Sequence, residues 1–293
     1  MKYLIEKQRQ WAANHKISLI GSHGDRGDKL YTENLNDNLF CEFDDDVRIQ
    51  FEKGDGNELN SSSGASKMQA LHSSAALCVN IFAYWQKTGR ENGDDCYPVT
   101  EILHAAKLIK AGTEKRGKIS FEAKFPISED FTIPPNLDLL IEPDSFSGNI
   151  EAYAVECKFT EPYSSYSHSG LKKDYLLKEE IWEKLDNIHQ LACELSPDDN
   201  RFKFLHAAQL IKHILGLNKK YKHGKYRLLY LWYDNLSDQG AEHLKEIQSF
   251  AETAEKDGVQ FHHISYQNLI MNLAATCRKN HPEYIEYITE RYL

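Results

Sequence analysis

Long apolar runs are missing from this sequence. Its 293 residues are 41% hydrophobic, but no stretch approaches the ~20 consecutive apolar residues that a membrane-spanning helix needs. Segment 1–14 carries Glu6, Lys7 and Arg9, so it lacks the apolar region of a signal peptide. We therefore expect a cytoplasmic protein that does not act at a membrane.

Closely spaced cysteines are missing as well. The chain has six cysteines, and no two of them form a CxxC pair or show zinc-ligand spacing. Single, scattered cysteines are typical of proteins whose thiols stay reduced. The pattern argues against a disulfide framework and against a structural zinc site.

Positive charge is in deficit overall, but not everywhere along the chain. Lysine and arginine number 35 against 44 acidic residues, a formal net charge of −9, which excludes a protein that coats nucleic acid through its overall charge. Segment 201–227, however, has eight basic residues and no acidic one, and segment 107–124 has six against two. Such runs are solvated surface in many proteins, but contact with DNA phosphates is the interpretation we favour. The candidate contacts are Lys219, Lys220, Lys222, Lys225, Lys115 and Arg116.

Signatures of several other enzyme classes are absent too. There is no Walker A loop, GxSxG elbow, HExxH motif or GxGxxG loop. Alternating strand-like and helical patterns instead predict an α/β (α+β) fold, with a mixed β-sheet flanked by helices. The strand-like runs cover 118–127, 136–142, 152–160, 227–234 and 259–266. The helical patterns cover 2–16, 65–88, 100–111, 172–194, 201–217 and 237–256, with C-terminal helices from Gln267 and Pro282.

The domain organisation follows from a change in composition near residue 65. Segment 1–64 is polar and rich in glycine and acidic residues, which predicts a loop-rich extension packed on the core. It contains one short strand-like run, Val47 to Phe51. Segment 65–293 has no long linker and is expected to form a single domain.

The most informative pattern lies in segment 134–163. Glu156 and Lys158 are two residues apart in an otherwise apolar strand-like run, so side-chain alternation places both on one face. Charges in such a strand are costly if they are buried without partners. If the two runs form an antiparallel hairpin about a turn near Ser147, paired residue numbers sum to about 294, and Asp138 lies opposite Glu156.

This placement favours a metal site. Two carboxylates whose Cβ atoms are ~5 Å apart repel each other unless a divalent cation lies between them, and Mg²⁺ prefers such hard oxygen ligands. Lys158 on the same face could orient and help to deprotonate a metal-bound water. Asp144 is a rival to Asp138 because it follows Pro143, but it lies in the turn, on the order of 20 Å further along an extended chain. We therefore favour Asp138.

These residues resemble the signature of the PD-(D/E)xK nuclease superfamily, which has an aspartate and an ExK triplet on neighbouring strands. The stretches KMQALHSSAALCVNIFAYW, FEAKFPI, NLDLLIE and VECKF are further similar to a group of bacterial restriction-endonuclease-like proteins. The likeness spans about residues 65–234. One departure is that the Pro-Asp dipeptide of the superfamily is absent at Asp138, because Asn136 and Leu137 follow Pro135.

The resemblance implies a restriction-type endonuclease of bacterial defence that hydrolyses double-stranded DNA with Mg²⁺, for which Mn²⁺ would substitute. It implies that Asp138 and Glu156 hold the metal, that the Cys157 carbonyl adds a ligand, and that Lys158 assists the attacking water. A repair or recombination nuclease of the same fold and a non-catalytic nucleic-acid-binding module stay open as alternatives. Palindromic double-strand cutting calls for two active sites, which is compatible with a homodimer.

Neighbouring elements supply further candidates. Glu122 on the preceding strand-like run can face the site as an additional catalytic acid, with Glu58 and Glu101 as alternatives and a solvated carboxylate as the simpler explanation. Superfamily members often use a polar residue of the helix after the ExK strand, which makes Gln209 a catalytic candidate. The histidines on that face of the helix, His206 and His213, are interpreted as surface residues rather than as ligands.

Overall fold

The fold is that of a computed structural model, which describes residues 2–24, 26–42, 45–62, 64–89, 96–144, 149–164 and 167–293. The helices are α1 (Lys2–Asn14), α2 (Asp45–Lys53), α3 (Ser74–Gly89), α4 (Thr100–Ala105), α5 (Lys173–Leu176), α6 (Asp186–Glu194), α7 (Ala207–Tyr221), α8 (Asp238–Lys256), α9 (Tyr266–Cys277) and α10 (Pro282–Tyr292). The strands are β1 (Leu19–Ile20), β2 (Tyr31–Thr32), β3 (Tyr97–Pro98), β4 (Arg116–Lys124), β5 (Asn136–Pro143), β6 (Ala152–Lys158), β7 (Tyr226–Trp232) and β8 (Phe261–Ser265).

The centre of the molecule is a six-stranded mixed sheet in the order β3-β4-β5-β6-β7-β8. Strands β3 to β6 pair antiparallel, whereas β6, β7 and β8 run parallel. Parallel neighbours need a crossover connection, and α7 lies in the one between β6 and β7. The expected α/β class with a mixed sheet flanked by helices is therefore confirmed.

The two faces of the sheet bury different helices, because side chains alternate along each strand. Val155 of β6 faces a core that includes residues of α3, α9 and α10. Its neighbour Ala154 faces a second core formed with α6, α7 and α8. The same alternation directs Glu156 and Lys158 to the face on which α7 packs, and His213 of that helix contacts Glu156.

The N-terminal residues contribute to the first of these cores. Leu4 of α1 and Val47 and Phe51 of α2 are buried in it. The expected strand at 47–51 was wrong, because these residues belong to helix α2. Val47 and Phe51 are four residues apart, on one face of a helix, and Asp45 and Asp46 lie favourably in its first turn. The boundary at residue 65 stays a prediction.

One buried cation links this N-terminal region to the last helix. Arg291 of α10 is 1% exposed and donates hydrogen bonds to Gln8 Oε1 at 3.1 Å, to the Asn38 carbonyl at 2.8 Å and to the Tyr287 hydroxyl at 2.6 Å. It also donates to the Asn38 side chain and lies 4.0 Å from the centre of the Trp11 ring. Its guanidinium is thus satisfied by neutral acceptors and an aromatic face.

Helix α7 begins later than the apolar pattern from Arg201 predicts. The backbone N–H groups of residues 203–205 donate to the Glu246 carboxylate, at 2.8 to 2.9 Å. Those of residues 201 and 202 donate to Asp199. Because carboxylates satisfy these donors, the segment stays irregular and the helix begins only at Ala207. The expected helix at 172–194 is likewise divided into α5, a 3₁₀ turn and α6.

Helix α4 is shorter than the helical pattern at 100–111 predicts and ends at Ala105. Val99 occupies its N-cap position, and the Thr100 hydroxyl donates to the Lys115 carbonyl at 3.0 Å. The expected helix at 65–88 is also shorter, because residues 67–69 form a 3₁₀ turn and α3 begins at Ser74.

Candidate active site

Strands β5 and β6 pair in the register expected from the sequence. Leu139 lies opposite Val155, so the residue numbers of the pair sum to 294. The turn expected near Ser147 lies outside the described residues. The ladder ends at this pair, one position before Asp138 and Glu156.

Asp138 bridges the two strands where their ladder ends. Its Oδ2 accepts a hydrogen bond of 2.6 Å from the backbone N–H of Cys157, so a carboxylate replaces a backbone carbonyl as the acceptor. On the other side of β6, the Lys158 carbonyl accepts from the N–H of Tyr233 at 2.9 Å. Successive peptide groups of a strand point in opposite directions, so the Cys157 carbonyl points back toward β5. It is therefore on the same side of β6 as the Asp138 carboxylate.

Glu122 continues this row of carboxylates onto β4. Phe121 pairs with Leu139 and Ala123 with Leu137, which places Glu122 opposite Asp138. Its backbone has a positive φ of 52°, a conformation that costs energy for a residue other than glycine. The Asn136 side chain donates a hydrogen bond to Oε2 of Glu122. One carboxylate thus occupies the same level of each of three adjacent strands.

Glu156 is enclosed by two basic groups. It is 1% exposed, and the Lys158 ammonium donates to its Oε1 at 2.6 Å. Nε2 of His213, on α7, lies 2.9 Å from its Oε2, out of line for a straight hydrogen bond. Both carboxylate oxygens therefore have a partner, one from the strand itself and one from the helix packed on it.

The three carboxyl groups of the row differ in pKa. Burial and the nearby Glu156 charge raise the pKa of Asp138 well above its usual range. Burial would also raise the pKa of Glu156, but Lys158 and His213 outweigh it and hold that pKa at about 2. Burial raises the pKa of Glu122 to about 7, against the lowering effect of Asn136. The fold therefore compensates the ionised form of Glu156 but not those of Asp138 and Glu122, and such strongly shifted pKa values are a feature of functional sites.

Lys158 is held in its charged form. Burial alone would lower its pKa, but the carboxylates of Glu156 and Asp138 raise it above its usual value. An ammonium that holds its proton this firmly is a poor general base. Its side chain is 17% exposed, so it can act as a fixed positive charge facing the solvent-accessible side of the site.

The first turn of α7 lies beside this pair. His206, its N-cap residue, is half-buried and stacks on His168 with ring centres 4.7 Å apart. Burial and the charge of Lys158 are among the causes that lower the pKa of His206 to about 4. Gln209 is half-buried one turn before His213, and its side chain forms no hydrogen bond within the described part of the chain. The structure thus brings Gln209 near the site without a contact to the carboxylates.

Of the alternative acids, Glu58 lies with the cluster and Glu101 does not. Burial raises the pKa of Glu58, and the Lys67 ammonium, 3.8 Å from its carboxylate, has the opposite effect on that pKa. The charge of Glu58 in turn raises the pKa of Glu122. Glu101 instead pairs with His281 at 2.7 Å. The rival Asp144 follows the opposite end of β5, where its N–H donates to the Arg116 carbonyl.

The basic candidates lie away from the carboxylates. Lys220 pairs with Glu142 at 3.2 Å, four residues or ~13 Å along β5 from Asp138. Lys219 and Lys222 are exposed near it, and Lys225 precedes β7. Lys115 is only 3% exposed, which argues against its role as a phosphate contact. Arg116 is exposed at the start of β4.

The donor set suits a hard cation. Asp138 and Glu156 offer carboxylate oxygens, and the Cys157 carbonyl points to the same side. Within the ranges that the structure describes, no group of three His, Cys, Asp or Glu side chains is arranged to hold a metal ion. A cation here would therefore keep several waters, as Mg²⁺ commonly does.

Fold and site together define a restriction-endonuclease-like α/β protein. Residues 4–293 match a protein family described as "Restriction Endonuclease associating with ARP". The match covers nearly the whole chain, and the chain therefore belongs to this family. Comparison with curated proteins and with solved structures finds no significant match. None of the helices in the described ranges is both long and apolar enough to cross a membrane.

His213 is the residue of the site that the sequence analysis misplaced. It is buried at 1% exposure rather than lying on the surface. One signal was available: α7 carries apolar residues on nearly all sides after Ala207, which is typical of a buried helix. A histidine in such a helix needs a polar partner, and Glu156 and Lys158, with Asp138 opposite Glu156, were strand charges expected on one face of the sheet.

Proposed function

We propose that this protein is a Mg²⁺-dependent endodeoxyribonuclease of the restriction type, with double-stranded DNA as its substrate. The observation that carries the proposal is the row of Glu122, Asp138 and Glu156 across three strands, with Lys158 beside it at the end of a ladder. Membership of a restriction-endonuclease family supports the same reaction class. The PD-(D/E)xK assignment is part of this proposal.

Each residue of the row has a distinct role in the proposal. Asp138 and Glu156 would hold the cation with the Cys157 carbonyl, and Mn²⁺ would replace Mg²⁺. The bound cation supplies positive charge that stabilises the phosphoryl transition state and acidifies water. Lys158 stabilises charge developing on the phosphate oxygens as a fixed ammonium. Glu122, with a pKa of about 7, can accept or donate a proton near neutral pH.

The test is cleavage of supercoiled and linear DNA, modified and unmodified, with Mg²⁺ or Mn²⁺. We expect metal-dependent cutting by the wild type and a loss of about 100-fold or more in Lys158→Met, which keeps the chain length but removes the charge. Lys178→Met is a matched control, because Lys178 pairs with Asp130 and Glu180 on the surface. The control should cut like the wild type.

Three outcomes separate the alternatives. Cutting that is unchanged in Lys158→Met contradicts the assignment of the site. Salt-dependent DNA binding without Mn²⁺ uptake in calorimetry supports the non-catalytic module instead. Strong preference for branched or damaged DNA supports the repair or recombination nuclease.

The assembly is also part of the proposal. The family name includes association with a partner designated ARP, and we extend this association to the present chain. A homodimer remains the expectation for cutting both strands of a palindrome. Sedimentation of the chain alone and with its partner, with and without DNA, would measure both the homodimer and the complex with the partner.

A further inference from the structure

His213 contacts Glu156, and the roles proposed above for the site residues do not include this histidine. Its side chain and that of Glu156 are each 1% exposed, and Nε2 lies 2.9 Å from Oε2. A buried carboxylate is stable only when its oxygens have partners. Lys158 supplies the partner of Oε1, and His213 is the group nearest to Oε2.

The two partners of Glu156 differ in rigidity. Lys158 reaches Glu156 with a long side chain that is partly exposed, so it can turn toward a bound phosphate. His213 is held by α7, which packs on the sheet through buried residues such as Leu210 and Ile214. When Lys158 turns to a substrate, His213 is the contact that still fixes the carboxylate.

The surroundings of His213 on α7 are mostly apolar. Nδ1 of the ring has no hydrogen-bond partner among the described residues. Leu210 and Leu217, which share its face of the helix, are buried, and Gln209 on that face is half-buried. Removing the imidazole therefore takes away the contact that α7 makes with Oε2.

We propose that His213 is a positioning residue for the reaction: it orients the Glu156 carboxylate from α7 and so sets the geometry in which Asp138 and Glu156 receive the cation. This inference rests on the proposed function. Groups that hold a metal ligand in place commonly change metal affinity or activity by about 10- to 100-fold when they are lost.

The test compares His213→Leu, which removes the polar edge, with His213→Gln, whose amide restores a polar group that can donate to Glu156. Mn²⁺ affinity is measured by calorimetry, and kcat and KM are measured for DNA cleavage. We expect His213→Leu to weaken Mn²⁺ binding and to lower kcat by about 10- to 100-fold, with KM for DNA little changed. His213→Gln should recover most of both losses. His189→Leu on α6 is the matched control, because His189 is also a helical histidine, but its ring contacts the Leu176 carbonyl and Trp182 rather than residues of the site.

The outcomes distinguish the inference from the proposed function. Wild-type Mn²⁺ affinity and kcat in His213→Leu, while Lys158→Met is inactive, overturn the inference and leave the nuclease assignment intact. A wild type that takes up no Mn²⁺ overturns both. If His213→Leu does not fold, His213→Ala takes its place, and equal Mn²⁺ affinity in the Ala and Gln variants overturns the inference.

Discussion

Two buried charged centres of this molecule are built in opposite ways. Arg291 joins α10 to the N-terminal region and is surrounded by neutral acceptors and the Trp11 ring. The row of Glu122, Asp138 and Glu156 instead collects carboxyl groups, and within the described residues Glu156 is the member of the row that has ion-pair partners, Lys158 and His213. A charge that the fold satisfies serves architecture, whereas carboxyl groups whose ionised forms the fold leaves uncompensated provide a place for a cation.

The sharpest test of this contrast is Asp138→Asn. The amide oxygen can still accept from the Cys157 N–H, but a negative charge of the row is lost. We expect DNA cleavage to fall by about 100-fold or more, since a ligand charge is removed. Unfolding free energy at pH 7 should rise, because the raised pKa of Asp138 makes its ionised form costly in the folded state. Thermal denaturation together with a cleavage assay measures both; a variant that is less stable and fully active contradicts the contrast.

Arg291→Met should show the reverse behaviour. The substitution removes the donor to the buried side-chain oxygens of Asn38 and Gln8, so we expect a loss of about 2 to 4 kcal/mol in unfolding free energy. Cleavage per folded molecule should stay near the wild-type rate below the melting transition. Urea denaturation and single-turnover cleavage at low temperature test the two expectations. A stable variant with impaired cleavage would make the Arg291 centre functional rather than architectural.

Glu122→Gln tests whether the charge of the row depends on pH. The pKa of Glu122 in the folded state, about 7, exceeds its ordinary value of 4.5. Between pH 4.5 and pH 7, Glu122 therefore keeps a proton in the folded protein that it releases in the unfolded chain. The contribution of Glu122 to the unfolding free energy of the wild type is therefore highest below about pH 4.5 and declines as pH rises through 7. The glutamine variant should match the wild type near pH 5 and exceed it by about 1 to 3 kcal/mol at pH 8. A stability difference that does not change with pH would contradict the raised pKa.

The smallest effect is expected from the exposed lysines at the C-terminal end of α7. Replacing Lys219, Lys220 and Lys222 by alanine should change unfolding free energy by no more than about 0.5 kcal/mol. If all three contact phosphates, the slope of log affinity for DNA against log salt should decrease in magnitude by about 3. The matched control replaces three other exposed lysines, Lys245, Lys256 and Lys279. Equal slopes in both variants would show that the lysine run is ordinary surface.

Much of the site could be predicted because its core depends on local rules. Side-chain alternation placed Glu156 and Lys158 on one face, and the symmetry of a hairpin placed Asp138 beside them. The register that pairs Leu139 with Val155 agrees with this. Alternation was not sufficient for residues 47–51, where a run that includes two β-branched residues formed a helix, since burial of Val47 and Phe51 against the core decides between the two structures.

Other features depended on contacts that are distant in sequence. Whether His213 faces solvent or Glu156 is decided by how α7 packs on β6, 57 positions apart at these two residues. The position of the lysine run relative to the carboxylates depends on the direction of the same crossover. The number of basic residues in a segment does not indicate the direction of that crossover.

The sequence by itself determined the alternation of strands, the pairing of β5 with β6 and the three residues that begin the site, because these depend on a period of two along a single hairpin. Tertiary structure alone decided the partner of Glu156 on α7, the place of Glu122 in the row and the burial of Lys115 and Arg291. The physical reason is that burial and the balance of charge around a group are set by elements brought together from distant parts of the chain.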